Sequence, residues 1–199
     1  MAERKTISLT SERLIIRLPE HRDIPEIIRF QRRNTAHFAA VFPSRPKGFL
    51  TTAFWRERIQ AAHADATADV GYRFYMFAAD APREIVGTIN LHQVQRGVAQ
   101  YCVMGYSIDH RHEGRGLMLE GVERIVRFAF DDLNLHRVMA NYMPSNERSG
   151  RVLRRAGFVV EGYARDYLLI NGQWRDHILT SRTNPNWREP RPRRARRRM

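Results

Sequence analysis

Residues 105–120 read GYSIDHRHEGRGLMLE, and the fold turns on them. An apolar, strand-like run ends near Ile108, a glycine-bearing loop follows, and a helical pattern begins near Gly116. The first amides of a helix have no partner within it, and the helix dipole adds positive potential there. Gly114 and Gly116 would let the backbone approach a diphosphate with no Cβ in the way, and Arg111 and Arg115 add charge. A strand–glycine loop–helix unit is a phosphate cradle on these grounds, with an ordinary strand–helix turn as the alternative. It is not a P-loop, because no Gly-Lys-Ser/Thr follows. The third glycine and the preceding parallel unit of a dinucleotide fingerprint are also missing.

Outward from this stretch, the pattern predicts a strand over 6–18, a helix over 21–33, a loop at Pro43 and Pro46, and a weaker helix over 49–64. Strands are expected over 72–79, 84–92 and 99–108. A long helix over 116–133 follows, with Met118, Val122, Ile125 and Ala129 at core spacing. A strand over 136–141, a helix over 146–156 stopped by Gly157, and strands over 158–162, 167–170 and 177–182 complete the chain. Asn171-Gly172 marks a hairpin turn. The order predicts an α/β protein with a mixed sheet, not a doubly wound one.

The chain has 199 residues, 43% of them hydrophobic, which suits one compact domain. Mean hydropathy is negative, no apolar run is long enough to span a bilayer, and the N-terminus lacks an apolar export segment. No membrane association and a cytoplasmic location are expected. The lone Cys102, in YCVMGYSI, reads as a small buried hydrophobe. His110, His112 and Glu113 sit close in sequence but lack a second ligand pair, so no metal is expected. Formal net charge is +13, and residues 188–199 (REPRPRRARRRM) hold seven Arg against one Glu. The boundary is drawn at 187/188: a domain over 1–187 and an Arg-rich tail expected to be disordered when free. The tail is either a solvated end or an attraction for RNA or ribosomal surface.

A second block, residues 141–180, reads NYMPSNERSGRVLRRAGFVVEGYARDYLLINGQWRDHILT. With TSERLIIR (10–17), GYSI, EGRGLM and MANYMP, it resembles the GNAT superfamily of acetyltransferases, and within it the RimJ/RimL type that acetylates ribosomal-protein N-termini. The resemblance covers the chain to about Trp187. It implies a largely antiparallel twisted sheet flanked by about four helices. It also implies acetyl-CoA as cosubstrate and direct attack by an amine without an acyl-enzyme. The family's phosphate-loop letters, Gln/Arg-x-x-Gly-x-Gly/Ala, fit in two registers. Residues 113–118 are preferred because Gly116 then opens the helix, although Glu113 and Met118 depart from the family letters. Residues 111–116 also fit.

The coenzyme set implied is Ser107, Ile108, Glu113, Gly114, Arg115, Gly116, Leu117, Met118, Asn146 and Ser149. Strand amides ending at Ile108 are candidates for the thioester carbonyl. Ser149 aligns with the serine placed near the leaving sulfur in RimL-type enzymes, with simple helix capping as its alternative. Asn146 would cap the same helix and bond the pantetheine arm. The general base is expected at Asp166, then Glu120; each has an ordinary polar role as its alternative. Tyr142, Tyr163, Tyr167 and Trp174 would wall a peptide or simply pack. The implied acceptor is the N-terminal alanine of a ribosomal protein, the fifth of the small subunit. Rivals are an acetyltransferase of a small amine or of another protein N-terminus, and a non-catalytic RNA- or ribosome-binding protein.

Overall fold

The computed structural model describes residues 7–39, 43 and 45–189. One eight-stranded sheet runs through the molecule. Its strands are β1 (Ser8–Thr10), β2 (Leu14–Arg17), β3 (Tyr72–Ala78), β4 (Ile85–Gln95), β5 (Tyr101–Ile108), β6 (Arg137–Tyr142), β7 (Val159–Ile170) and β8 (Gln173–Thr183). Spatial order is β1-β2-β3-β4-β5-β6-β8-β7. Every neighbouring pair is antiparallel except β5 and β6, which run parallel. Among the described residues, five α-helices flank it: α1 (Ile24–Arg33), α2 (Thr35–Ala39), α3 (Thr52–Thr67), α4 (Leu117–Arg127) and α5 (Glu147–Arg155).

The sheet buries both faces, which is why β3 reads as a nearly unbroken apolar run. On one face Leu117, Met118, Val122, Ile125 and Val126 of α4 join the main core with Phe74, Met76, Ile89 and Leu91. Each such side chain, fully buried, contributes roughly 1.5–3 kcal/mol. Gly121 lets α4 settle closely, since a Cβ there would lie 2.9 Å from Ile89 Cδ1 and 3.0 Å from the Met76 methyl. On the other face Ile24, Ile27 and Phe30 of α1 and Trp55 and Ile59 of α3 cover Tyr75, Phe77 and Ile85.

Several boundaries differ from the sequence pattern for local reasons. The first strand is a hairpin, β1 and β2, closed where the Ser11 amide bonds the Leu14 carbonyl at 3.0 Å. Helix α2, the fifth, is too short to show a period. The helix expected over 116–133 is α-helical only to Arg127 and finishes as a π-helical turn, Phe128–Asp132. The two strands expected over 158–170 are one strand, β7, whose register against β8 shifts between Ala164 and Leu168. Gly157 does stop α5, at φ +79°, and Asn171 and Gly172 both adopt positive φ at the tip of the β7–β8 hairpin. Of the Arg-rich end, residues 190–199 lie outside the described residues.

The feature that positions the site is a gap. β5 and β6 pair only through Tyr101↔Arg137, Cys102↔Val138 and Val103↔Met139. Beyond these, β5 continues to Ile108 along β4 while β6 continues to Tyr142 along β8. The two strands diverge, and the β6-facing edge of Met104–Ile108 has no strand beside it.

Candidate active site

The loop after β5 is anchored from below. Asp109, fully buried, receives the Arg33 guanidinium of α1 and the Arg111 guanidinium at 3.1 Å, and accepts the Arg111 amide at 3.1 Å. Burial alone would raise the Asp109 carboxyl; the bonds from Arg111 and Arg33 outweigh it and hold the group well below the usual carboxylate range. Arg33 also bonds the Ile85 carbonyl at 2.7 Å. Buried Asn34 accepts from the His110 amide at 3.0 Å and meets His110 Nδ1 at 2.9 Å. Helix α1 thus fixes where the loop begins.

The loop then turns twice through the left-handed region, at Gly114 (φ +73°) and Gly116 (φ +77°). The positions that require glycine are therefore 114 and 116, the spacing of the second register, Arg111-x-x-Gly114-x-Gly116. Met118 is buried in the core rather than standing as a small loop residue. Gly116 is the N-cap of α4, and no side chain caps that end. Its first amides stay open for an anion. Glu113 turns its carboxylate sideways onto Arg148 of α5 and, at 3.4 Å, onto His37. Arg115 is exposed, its carbonyl held by Arg13 at 3.0 Å. Leu117 packs into the core.

Across the gap, Asn146 caps α5 by accepting from the Ser149 amide at 3.2 Å. Ser149 Oγ lies 2.8 Å from the Tyr106 hydroxyl of β5. Gly150 makes this possible: a Cβ there would lie 2.8 Å from the Tyr142 ring. Burial pushes the Tyr106 hydroxyl up to about 12, with the bond from Ser149 pulling slightly the other way. It is a neutral phenol at neutral pH. Nothing in the sequence marked Tyr106, because the pair forms only when α5 folds against β5.

On the opposite face of β3–β5, bounded by α1, α2 and α3, lies a cleft of about 750 Å³. Thr88 and Ser107, hydroxyls 2.8 Å apart, form part of its floor with Asn90 and Tyr75. Phe38, Phe49, Phe54 and Trp55 form walls. The β7–β8 tip reaches it too: Asn171 lines it and bonds the Ala39 carbonyl. By strand register, Asn141 of β6 shares this face with Val103 and Ser107. Its side-chain oxygen is buried without a partner, while its Nδ2 donates to Tyr167 Oη at 3.3 Å.

The residues expected as walls stand elsewhere. Tyr142 packs on α5, Tyr163 bonds Asp176, and Tyr163 and Trp174 are exposed. Tyr167 reaches the site only through Asn141. The true walls come from 38–55, where apolar residues serve both core and cleft and so blur the helical period of α3. Neither expected base is brought into the cleft. Glu120 is clamped by the Arg13 amide and Nε, both at 2.8 Å. Burial works to raise it, and the bonds from Arg13 and Ser11 hold it below its ordinary value. Asp166 is exposed, at φ +49° in the irregular part of β7, its amide bonded to Asp176 at 2.9 Å. Cys102 is buried and its thiol pushed up to about 12 by that burial. Among the described residues, no three His, Cys, Asp or Glu are arranged to hold a metal, and no helix is long and apolar enough to cross a membrane.

This architecture, a splayed β5–β6 pair with a glycine loop at one side, is that of an acyl-CoA-using fold, and comparison with known proteins agrees. Residues 13–159 match the family model for the acetyltransferase (GNAT) domain, and the chain belongs to that family. It is an acetyl-CoA-dependent N-acetyltransferase of RimJ-like kind. It is 39% identical over 181 residues to the [ribosomal protein uS5]-alanine N-acetyltransferase of Escherichia coli, covering 91% of this chain and 93% of that protein. The crystal structure of ribosomal-protein-S5-alanine acetyltransferase from Vibrio fischeri superposes with TM-score 0.87 at 34% identity, covering 92% of this chain and all of that one. Mycobacterium smegmatis RimJ, in complex with CoA-disulfide, shares the fold at TM-score 0.80 and 24% identity over 89% of this chain and 86% of its own.

Proposed function

We propose that this enzyme acetylates the N-terminal α-amine of a ribosomal protein, the alanine of uS5 first. The observation that carries this is the pairing of two openings on one gap: a diphosphate loop beside α4 and α5, and a peptide-sized cleft on the other face of β5. The volume of the cleft falls within the range of about 300–1,000 Å³ for small-ligand sites, so it suits a chain end rather than a folded surface.

The coenzyme diphosphate is bound by the open amides from Gly114 to Met118, with Arg115 adding charge, and Glu113 serves by pinning the loop to Arg148. Asn146 and Ser149 border the pantetheine arm. The amides of Ser107 and Ile108 lie on the strand from which the thioester carbonyl is polarised. The acceptor nitrogen enters from the cleft, with the Asn141 side-chain oxygen accepting one of its hydrogens.

An α-amine titrates at about 7.7–8.0. Arg45, Arg58 and Arg73 line the cleft, and this positive field disfavours the ammonium and lowers that value further. Water can then take the proton after attack, and the chemistry asks little of a protein base. Asp166, on the exposed bulge, and Glu120, bound to Arg13, are assigned no proton transfer. As the tetrahedral intermediate collapses, the C–S bond breaks, the thiolate accepts a hydrogen bond from Ser149 Oγ–H, and it takes its proton from solvent. Tyr106, held protonated, backs that hydroxyl. The Arg-rich end would concentrate the enzyme at ribosomal RNA. Mass spectrometry of ribosomal-protein N-termini from cells with and without this gene tests the substrate: loss of acetyl from uS5 is expected, and an unchanged pattern rules uS5 out.

A further inference from the structure

The acceptor cleft holds three guanidinium groups, Arg45, Arg58 and Arg73, and no carboxylate among the described residues lines it. Arg45 spends its donors on neutral oxygens of Thr35 and Gln31. Arg73 gives Nη2 to Asp65 at 3.1 Å, while its Nη1 is buried without a partner. Arg58 makes no hydrogen bond or ion pair among the described residues, yet its charge is felt at the buried Tyr75 hydroxyl, which burial itself pushes upward. Arg73 adds to burial in holding the His92 imidazole below its ordinary value. Trp55, only 8% exposed, carries an indole N–H with no acceptor.

Buried donors without acceptors are rare in folded proteins, and a bound ligand is one way to satisfy them. Two of them, Arg73 Nη1 and Trp55 Nε1, belong to residues lining one cleft. They sit beside Arg58, which has no bonded partner among the described residues, and the one carboxylate paired with the set is Asp65, on Arg73. An oxygen-rich ligand carrying negative charge fits such a set.

We propose, building on the N-terminal acceptor function above, that this cleft selects chains bearing a carboxylate side chain within the first few residues after the amine. The carboxylate is held by Arg58 and Arg73, and Trp55 Nε1–H donates to a peptide carbonyl. The same charges reject polycationic amines, whose ammonium groups would enter among three guanidiniums with one carboxylate, Asp65, already taken by Arg73. The cleft thereby separates acidic N-termini from polyamines by like-charge repulsion as much as by attraction.

The test is acetyl transfer from saturating acetyl-CoA to alanine-initiated hexapeptides, neutral except for one Glu, Gln or Lys walked through positions 2 to 4. Glu at one of these positions is expected to exceed Gln by about tenfold in kcat/KM, the scale of a charge-assisted hydrogen bond, and Lys to fall below Gln. Arg58→Glu is expected to invert the order, so that Lys overtakes Glu. Arg73→Gln is expected to shrink the Glu advantage, with acetyl-CoA calorimetry confirming a folded protein. Equal turnover of Glu, Gln and Lys peptides at every position would overturn the inference and leave N-terminal transfer standing. Turnover of spermidine with none of any peptide would overturn both.

Discussion

Gly116→Glu should cost this enzyme its coenzyme affinity, and the size of the loss can be worked from the loop. Gly116 sits at φ +77°, where an L residue costs roughly 1–2 kcal/mol. A Cβ there meets only the far end of Arg13 at 3.6 Å, and one at Gly114 meets nothing within 4 Å. Sterics are thus not the issue at either glycine; backbone strain is. If the loop must hold this shape to present its amides, alanine at either position weakens binding by about 5–30-fold when the whole cost falls on binding, and less when part falls on folding. Glutamate at 116 adds a negative charge beside the diphosphate, and the combined loss should exceed about a hundredfold. Gly97→Ala is the control. It lies at φ +67° with nothing within 4 Å, in the turn at the far end of β5. It should lower the melting temperature as much and leave coenzyme binding alone. Isothermal calorimetry with CoA reads the result; Gly116→Glu protein binding within about threefold of wild type would refute the cradle.

Ser149→Ala should lower kcat by about a hundredfold with KM for the peptide little changed, and Tyr106→Phe by about tenfold, both in steady-state assays. Because the Tyr106 hydroxyl is pushed up to about 12, it should contribute no limb to the rate profile between pH 6 and about 10. The folded Asp109 carboxyl lies below its unfolded value of about 3.9, so its stabilisation is complete above that pH and drains away as pH falls beneath it. Asp109→Asn should therefore lose about 1.5–3 kcal/mol at pH 7, since Arg33 keeps Glu26 at 3.0 Å, and show a flatter acid-unfolding curve than wild type in denaturant melts. Removing residues 188–199 should weaken sedimentation with ribosomes and flatten its salt dependence, while peptide turnover stays unchanged.

The fold and the turns of the glycine loop were legible because they rest on local patterns. Gly114 and Gly116 announce positive φ, Gly157 announces a helix stop, and Asn171-Gly172 announces a hairpin. The strand–loop–helix order around Ile108 needs only neighbouring residues to be read. What escaped depends on contacts far apart in the chain. Arg33 meets Asp109 and Tyr106 meets Ser149 only after the sheet assembles, and no spacing in the sequence links them. The cleft escaped because α2 is short and the apolar residues of α3 look two ways. Glu120 looked like a free acid in a first helical turn until Arg13, more than a hundred residues earlier, was seen to occupy it.

The brief parallel stitch between β5 and β6 makes this sheet two leaves sewn at one end. On the proposed reading, a donor molecule seated in the open end would act as mortar between them, so occupancy should stiffen β6 and α5 as much as the loop it touches. By mass action a hundredfold excess over Kd adds about 2.7 kcal/mol to the folded state. The protein would then be most rigid when loaded, with the cleft already in shape before any chain end arrives.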